Sequence, residues 1–343
     1  MIAYVDGLGR LLDVRNMDVC FRTHEGESHV IRDASFCVNH GEVMAIVGES
    51  GSGKSVLTQA CLKLIPMPPG EIRGGKALYN GRDLLQMNEN ELRAVRGKEV
   101  AVVFQDAMTA LNPTMRIGAQ LVETIIEHEK ISKRDAKARA AELLRMVKIP
   151  NPEKYMRQYI FQCSGGMRQR VMIAIAIACR PKLIIADEPT TALDVTIKTE
   201  ILNLLVSLLR ELGTSVLLIT HDLGMVASYA DRIGVMYAGR FVETGTSHDI
   251  FYRAKHPYTR GLLRAAPRLD LPPDQDLATI PGAPPNPALP RRGCAFAVRC
   301  ANCMEVCKAY EPPLTDIDKE HTTRCWLLDP RAENIRNSEE AGA

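Results

Sequence analysis

The stretch "EVMAIVGESGSGKS", residues 42–55, decides the fold, because an apolar strand pattern runs directly into a glycine-rich turn. Residues 48–55 fit the pattern G-x-x-x-x-G-K-[ST] without departure, and a helix pattern follows. Backbone N–H groups of such a turn wrap a phosphate, the lysine neutralises phosphate oxygens, and the last hydroxyl binds Mg²⁺. The flanking strand and helix favour this phosphate loop over a merely flexible Gly/Ser turn. The residues expected to bind a nucleotide are Gly48, Ser50, Gly51, Ser52, Gly53, Lys54, Ser55 and Val56.

A second apolar strand pattern, "LIIADEP" at residues 183–189, ends in two acids. This places Asp187 and Glu188 at the carboxyl end of a central strand, where open α/β sheets bind their ligands. We expect Asp187 to hold Mg²⁺ through water and Glu188 to polarise an attacking water, a role that contributes about 10²- to 10⁴-fold in rate. A strand that ends in acids to begin a surface turn is the alternative, which the phosphate loop disfavours.

Two further polar residues follow apolar strand patterns in the same manner. Gln105 lies in "VVFQDAMTALNP", residues 102–113, and His221 lies in "LLITHD", residues 217–222. The Gln105 amide is predicted to reach the magnesium and the lytic water, and His221 to hydrogen-bond a γ-phosphate. Taken singly, either residue is more simply explained as a surface or helix-capping residue.

The segment "FQCSGGMRQR", residues 161–170, puts a serine and two glycines before a basic turn and an apolar helix. A serine hydroxyl and glycine N–H groups at a helix N-terminus form an anion site. The segment follows the phosphate loop by about a hundred residues, so its anion has to come from elsewhere. Arg168 and Arg170 are expected on the first turns of the helix, where solvated basic residues are their ordinary interpretation.

Periodicity along the chain predicts an α/β fold. Strand patterns cover residues 11–47, helical and charged segments run from about 90 to 160, and strands alternate with helices again from residue 182. Eight of the 20 prolines fall between residues 267 and 290, which indicates a stiff connector. We therefore expect a nucleotide-binding domain over 1–255 with an antiparallel β subdomain and a helical subdomain at about 93–170, an extension over 256–330, and a flexible tail over 331–343.

The bulk composition excludes several classes of protein. Lys plus Arg (43) nearly cancels Asp plus Glu (41), so the net charge of +2 disfavours a nucleic-acid binder. The longest apolar run has nine residues, 171–179, whereas a membrane span needs about 20. No secretory leader pattern opens the sequence, which predicts a cytosolic location.

The ten cysteines fall into two groups. Five are scattered among apolar neighbours, and the other five crowd into residues 294–325, where we predict a site. These five are Cys294, Cys300, Cys303, Cys307 and Cys325.

The set of motifs resembles the ATP-binding cassette (ABC) ATPases in order and approximate spacing, over residues 1 to about 255. The resemblance implies a RecA-like P-loop core that binds ATP and Mg²⁺. It also implies that the Ser-Gly-Gly signature caps the γ-phosphate of ATP held by an opposing subunit, and that Phe21 stacks on adenine. Here Cys163 and Met167 replace the leucine and glutamine of the usual L-S-G-G-Q. The residues that carry this resemblance are Phe21, Gly48 to Ser55, Gln105, Ser164, Gly165, Gly166, Asp187, Glu188, Asp194 and His221.

"HPYTRGLLRAAP" at 256–267, the proline-rich stretch and the cysteines resemble the C-terminal extension of ATPase subunits of dipeptide, oligopeptide and nickel importers, with the dipeptide branch most similar. In relatives the spacing of Cys294, Cys300, Cys307 and Cys325 holds a [4Fe-4S] cluster. Cys303 is an alternate ligand, and Zn²⁺ is the alternative metal because four thiolates suit both.

The resemblance also implies partners and a location. It implies a second ATPase subunit, which we expect to be a paralogue, together with two transmembrane permease subunits and an extracytoplasmic substrate-binding protein. The subunit is expected to lie peripherally on the cytoplasmic face of the cell membrane and to power the uptake of dipeptides or oligopeptides. Nickel, glutathione and opines are alternative cargoes, and a soluble ABC ATPase that acts on nucleic acid is the alternative function.

Overall fold

A computed structural model describes residues 9–24, 26–190, 194–266 and 279–332. These residues form twelve strands and twelve α-helices. The strands are β1 (Arg10–Thr23), β2 (Gly26–Asn39), β3 (Val43–Val47), β4 (Gly70–Tyr79), β5 (Arg82–Asp83), β6 (Val100–Val103), β7 (Leu183–Asp187), β8 (Ser215–Thr220), β9 (Arg232–Tyr237), β10 (Arg240–Thr246), β11 (Thr315–Asp316) and β12 (Thr322–Thr323). The helices are α1 (Lys54–Cys61), α2 (Glu89–Val95), α3 (Ala107–Ala110), α4 (Ile117–His128), α5 (Lys133–Met146), α6 (Pro152–Tyr155), α7 (Gly165–Ala176), α8 (Val195–Glu211), α9 (Leu223–Val226), α10 (Ser247–Tyr252), α11 (Pro257–Ala265) and α12 (Glu305–Ala309).

The central element is an eight-stranded sheet of order β11-β12-β10-β9-β3-β8-β7-β6. Strands β9, β3, β8, β7 and β6 pair in parallel. All five residues of β3 are buried, with Val43, Ala45 and Val47 in one core and Met44 and Ile46 in a second core. Burial on both faces explains the continuous apolar run that identified this strand in the sequence. The predicted strands at 182–187 and 215–220 are confirmed as β7 and β8.

A smaller antiparallel sheet of order β2-β1-β4-β5 covers the second core. Strands β1 and β2, which the alternating pattern over residues 11–47 predicts as strands, pair as a long hairpin. Helix α2 contributes Leu92 and Val95 to this second core. The antiparallel β subdomain and the phosphate-loop helix α1 thus share one packed interior.

A run of helices separates β6 from β7. Helix α5 begins after Ser132, whose side chain accepts a hydrogen bond from the Asp135 N–H as an N-cap. The predicted helical subdomain of about 93–170 also includes β6, which is an edge strand of the large sheet. The all-helical part begins later, at Ala107. The sequence pattern cannot separate a four-residue apolar strand from an apolar helical turn.

The C-terminal extension joins the large sheet. β12 pairs with β10, and the hydroxyls of Thr244 and Thr322 lie 2.8 Å apart. Beside them the buried Glu243 carboxylate lies 2.8 Å from His321 Nε2. The first half of the predicted proline-rich connector, residues 267–278, and nearly all of the predicted tail lie outside the described residues. Within the part of the chain that the structure describes, no helix is both long and apolar enough to cross a membrane.

Candidate functional site

The phosphate loop lies between β3 and α1, as the strand-turn-helix pattern predicts. Gly53 precedes α1 in the left-handed conformation with φ of 102°. Gly48 has φ of 155°, and a Cβ at this position would lie 2.2 Å from the Met236 carbonyl oxygen. Only glycine combines this backbone conformation with so close an approach.

Lys54 folds back over the loop. Its Nζ donates to the carbonyl oxygens of Gly48 (2.8 Å) and Glu49 (2.9 Å), and the side chain is buried. Burial lowers the pKa of Lys54, and the nearby carboxylates of Glu188 and Asp187 oppose this shift. The lysine is therefore a desolvated cation that donates to neutral carbonyls. Its positive charge is available to pair with the negative oxygens of a bound phosphate.

Ser55 and Asp187 meet at the base of the loop. Ser55 Oγ donates to Asp187 Oδ1 at 2.7 Å, and Asp187 is buried at the end of β7. Burial raises the pKa of Asp187, the Ser55 hydrogen bond lowers it, and the Glu188 charge raises it again. A hydroxyl and a carboxylate held together supply the hard oxygen ligands that Mg²⁺ prefers.

Glu188 lies between Gln105 and His221, so the structure brings these three predicted residues together. Gln105 Nε2 donates to Glu188 Oε2 at 3.3 Å, and His221 Nδ1 lies 3.3 Å from Glu188 Oε1. Glu188 has a positive φ of 44°, and its N–H donates to the Ile219 carbonyl at 2.9 Å. A positive φ is uncommon for non-glycine residues, and Glu188 is one of nine in the described part of the chain.

The signature segment lies at the start of α7. Ser164 is exposed and accepts a hydrogen bond from the Met167 N–H at 3.4 Å, and Gly166 packs near Ile197. Gly165 belongs to the same first turn.

The two arginines after the signature are tied to the protein rather than solvated. Arg168 donates to the Ile160 carbonyl at 3.2 Å and Arg170 to the Val147 carbonyl at 3.0 Å. Both guanidinium groups therefore fix the segment that carries Ser164.

Two further predicted residues lie apart from the loop contacts described above. Asp194 is exposed and precedes the first residue of α8. Phe21 pairs with Gly70 across β1 and β4, and its ring packs against the second core. The adenine-stacking role of Phe21 and the role of Asp194 stay predictions.

Four of the five clustered cysteines line one small cavity, namely Cys294, Cys300, Cys307 and Cys325. Burial first, and then the neighbouring thiols, raise the pKa of Cys294 to about 11 and that of Cys325 to about 12. Cys303 does not line this cavity, and its thiol lies 3.6 Å from the Met304 carbonyl oxygen. The four thiols are therefore neighbours in a desolvated site.

Two features escaped the sequence reasoning. Asp18, Cys20 and His29 form the one group of His, Cys, Asp or Glu in the described residues whose ligand atoms all lie within 4.8 Å of one another. Glu49 of the phosphate loop is held by Arg299 of the extension, which donates to its carboxylate oxygens at 2.7 and 2.9 Å. Neither feature has a local signal, because the residues of each group are brought together by strand pairing or by the fold.

Comparison with known families places both parts of the chain. The model "ABC transporter" matches residues 31–191, which include the phosphate loop and the β7 acids. The model "Oligopeptide/dipeptide transporter, C-terminal region" matches residues 242–307.

Several characterised relatives match nearly the whole chain. The oligopeptide transport ATP-binding protein OppD of Bacillus subtilis is 52% identical over 330 residues, which are 96% of this chain and 92% of that protein. The dipeptide transport ATP-binding protein DppD of the same organism is 48% identical over 95% of this chain and 97% of its own length. OppD of Escherichia coli is 46% identical over 92% of this chain and 93% of its own length.

The fold also matches solved structures. One is the dimeric ATP-binding cassette MJ0796 in a post-hydrolysis state bound to ADP and Pi, with a TM-score of 0.62 at 26% identity over 69% of this chain and 98% of that one. The predicted family is confirmed by these matches. The chain belongs to the ABC transporter ATPases and carries the C-terminal region of the oligopeptide and dipeptide transporters.

Proposed function

We propose that this chain is the ATP-hydrolysing subunit of a membrane importer for dipeptides or oligopeptides. The observation that carries the proposal is the meeting of Gln105, Glu188 and His221 beside the phosphate loop. The similarity to OppD and DppD over more than nine-tenths of the chain supports the peptide cargo. Nickel, glutathione or opine uptake is the alternative within the same role.

The site residues divide between binding and chemistry. The loop N–H groups and Lys54 bind the phosphates of ATP, and Ser55, Asp187 and Gln105 would hold Mg²⁺, which neutralises charge on the β and γ oxygens. Glu188 orients and deprotonates the attacking water, because its carboxylate is the acceptor at the centre of the Gln105 and His221 contacts. His221 then donates to the γ-phosphate.

A second ATPase subunit completes each nucleotide site. Ser164 is exposed at the N-terminus of a twelve-residue helix, and within the described residues its Oγ accepts only one long hydrogen bond, from Met167 N–H at 3.4 Å. This anion site faces ATP held by the opposing subunit, with Asp194 at the same interface. The similar cassette MJ0796 is described as a dimer, which supports this arrangement. We propose a paralogue as the second subunit.

The helical part carries the surface for a permease. An open groove of about 1240 Å³ lies between α4 and α5, with Val122, Ile126 and Met156 among its apolar lining and charged residues along its rim. The loop from Gln105 reaches this region, because Gln120 of α4 holds Asn112 through two hydrogen bonds of 3.0 Å. A change at the γ-phosphate is thus transmitted from Gln105 to the groove.

The remaining parts of the importer follow from this docking. A permease chain seated in the groove holds the subunit at the cytoplasmic face of the membrane. Two permease subunits and an extracytoplasmic substrate-binding protein complete the importer.

The thiol cavity is proposed to hold a [4Fe-4S] cluster through Cys294, Cys300, Cys307 and Cys325. A tetrahedral zinc ion with Zn–S bonds of about 2.3 Å holds its sulfur atoms about 3.8 Å apart. Among the described residues no three of these thiols lie within 4.8 Å of one another, so they are not drawn together as one zinc ion would hold them. A cluster would supply a covalent staple for the extension. Anaerobic purification followed by iron, sulfide and zinc assays tests this, and one zinc per chain without iron contradicts it.

The test of the function is ATP turnover in the assembled complex. ATPase activity should rise when permease and peptide-loaded binding protein are added, and no phosphorylated small molecule should form. Stimulation of ATPase activity by nickel-loaded binding protein is measured beside stimulation by peptide-loaded binding protein, to distinguish the two cargoes. Turnover that ignores permease but responds to nucleic acid or ribosomes would instead indicate a soluble ABC ATPase.

A further inference from the structure

Glu49, the second residue of the phosphate loop, is held on three sides. Its carboxylate receives both terminal nitrogens of Arg299, at 2.7 and 2.9 Å. Its N–H donates to Tyr258 Oη at 2.9 Å, and its carbonyl accepts from Lys54 Nζ at 2.9 Å. The residue therefore links the extension directly to the phosphate-binding lysine.

Arg299 is itself fixed by its surroundings. The side chain is 5% exposed, and its Nε donates to the Pro281 carbonyl at 2.9 Å. The guanidinium carbon lies 5.8 Å from the Tyr237 ring centroid and 5.9 Å from that of Phe296. A planar guanidinium held by hydrogen bonds and ring faces has one orientation, so it also orients the carboxylate that it binds.

The thiol cavity adjoins Arg299. Cys300 is the next residue along the chain, and Phe296, which contacts Arg299, also lines the cavity. Phe296 packs on Tyr258 at a centroid distance of 5.4 Å and on Tyr237 at 5.3 Å. These rings form one buried cluster that touches the cavity on one side and Glu49 on the other.

We propose that Arg299 is a positioning residue for the phosphate loop, and that through the Arg299–Glu49 pair the occupancy of the thiol cavity is linked to nucleotide affinity. A group bound by Cys294 and Cys300 restrains the 294–300 turn, so it stabilises the arrangement in which Arg299 holds Glu49. Linkage is reciprocal, so bound nucleotide must in turn stabilise the occupied cavity. This inference rests on the proposed role of the phosphate loop.

The chain supplies a closely matched control. Arg324 also precedes a cavity cysteine, Cys325, and also pairs with a core carboxylate, that of Asp33, at 3.2 Å. Asp33 lies on β2 outside the phosphate loop. Arg299→Gln and Arg324→Gln therefore each remove an ion pair between the extension and the core, the first a buried pair with two hydrogen bonds and the second a single, more exposed contact. Only the first pair touches the loop.

The first measurement is the affinity of the full chain, purified anaerobically with its metal, for a fluorescent ATP analogue. Arg299→Gln should weaken binding by about five- to 150-fold, the usual range of coupling between sites, and Arg324→Gln by less than about twofold. Glu49→Gln removes the same pair and leaves the extension intact, so the test does not depend on how Arg299→Gln folds. The double variant should match either single variant, and Arg299→Lys should restore part of the affinity.

The second measurement is the rate at which a chelator removes the bound metal, with and without ATP. ATP should slow metal loss from the parent and from Arg324→Gln, but not from Arg299→Gln. Unchanged affinity in Arg299→Gln, or metal loss that is indifferent to ATP in the parent, overturns the inference. Lys54→Ala distinguishes failure of the positioning role from failure of the nucleotide site. If Lys54→Ala loses nucleotide binding and Arg299→Gln keeps it, only the positioning role of Arg299 is refuted. Binding that survives Lys54→Ala refutes the proposed nucleotide site as well.

Discussion

Replacing Glu188 by glutamine removes the proposed base and keeps the shape of the side chain. In the structure both carboxylate oxygens are engaged, Oε2 by Gln105 Nε2 and Oε1 by His221 Nδ1, each at 3.3 Å. An amide at this position cannot accept the proton of an attacking water. ATP binding requires none of this chemistry, so Glu188→Gln should bind ATP and hold it.

The size of the effect follows from the role of a positioned base. A loss of about 10²- to 10⁴-fold in turnover corresponds to about 2.7 to 5.4 kcal/mol in the barrier. The backbone strain is a separate quantity. A left-handed conformation costs a non-glycine residue about 1 to 2 kcal/mol, and glycine loses about 0.5 to 1 kcal/mol through its greater chain entropy. Glu188→Gly should therefore lose the same activity while its unfolding free energy changes by about 0 to +1.5 kcal/mol.

Steady-state hydrolysis by the assembled complex at saturating ATP measures the first effect, and urea unfolding of the isolated chain measures the second. Size-exclusion chromatography should show Glu188→Gln accumulating as an ATP-bound dimer. Hydrolysis at the parental rate by Glu188→Gln would show that another group takes the proton. A large loss of stability in Glu188→Gly would show that the left-handed conformation is not strained.

Three further predictions address the loop, the interface and the extension. Gly48→Ala puts a Cβ 2.2 Å from the Met236 carbonyl and should abolish binding of a fluorescent nucleotide, with a loss of about 1 to 3 kcal/mol of stability. Gly213→Ala, at a positive φ of 65° with nothing within 4 Å of the added Cβ, should bind the nucleotide normally. Ser164→Ala should lower the unfolding free energy by no more than about 1 kcal/mol yet prevent the ATP-bound dimer in the Glu188→Gln background; an intact dimer by light scattering contradicts the capping role. Burial lowers the pKa of His256 from 6.5 to about 4, so the unfolded chain binds the extra proton between those values and stability falls as the pH drops through that window. His256→Asn keeps an N-cap acceptor that does not titrate, so between pH 7 and 4 its unfolding free energy should fall by about 3 kcal/mol less than that of the parent. Equal falls in the two proteins, measured by urea unfolding, would show that His256 does not cause the pH dependence.

The nucleotide half-site was predictable because its signals are local or follow from one rule of sheets. The loop of residues 48–55 is contiguous, so its backbone pattern is written in the sequence itself. Gln105, Glu188 and His221 each follow one of the neighbouring parallel strands β6, β7 and β8, and parallel strands end at one edge. Their meeting at 3.3 Å needed only that rule.

The extension was less predictable, since its contacts are distant along the chain and its strands are short. β12 has two residues, too few to show an alternating pattern, yet it continues the large sheet at β10. The tie between Arg299 and Glu49 spans 250 residues. The sequence marks Arg299 only as the neighbour of a cysteine.

The amino-acid sequence by itself determined the chemistry of this protein: a phosphate loop, a pair of acids at a strand end, an anion-binding helix start and a set of thiols. Each of these features depends on residue type and spacing along the chain, which can be read from the sequence without the fold. Tertiary structure alone decided how the extension meets the nucleotide site. Packing of the extension against β9 and β10 brings the thiol cavity, the aromatic cluster and Glu49 together, because burial of apolar rings and of a paired guanidinium selects one arrangement from many that the sequence allows.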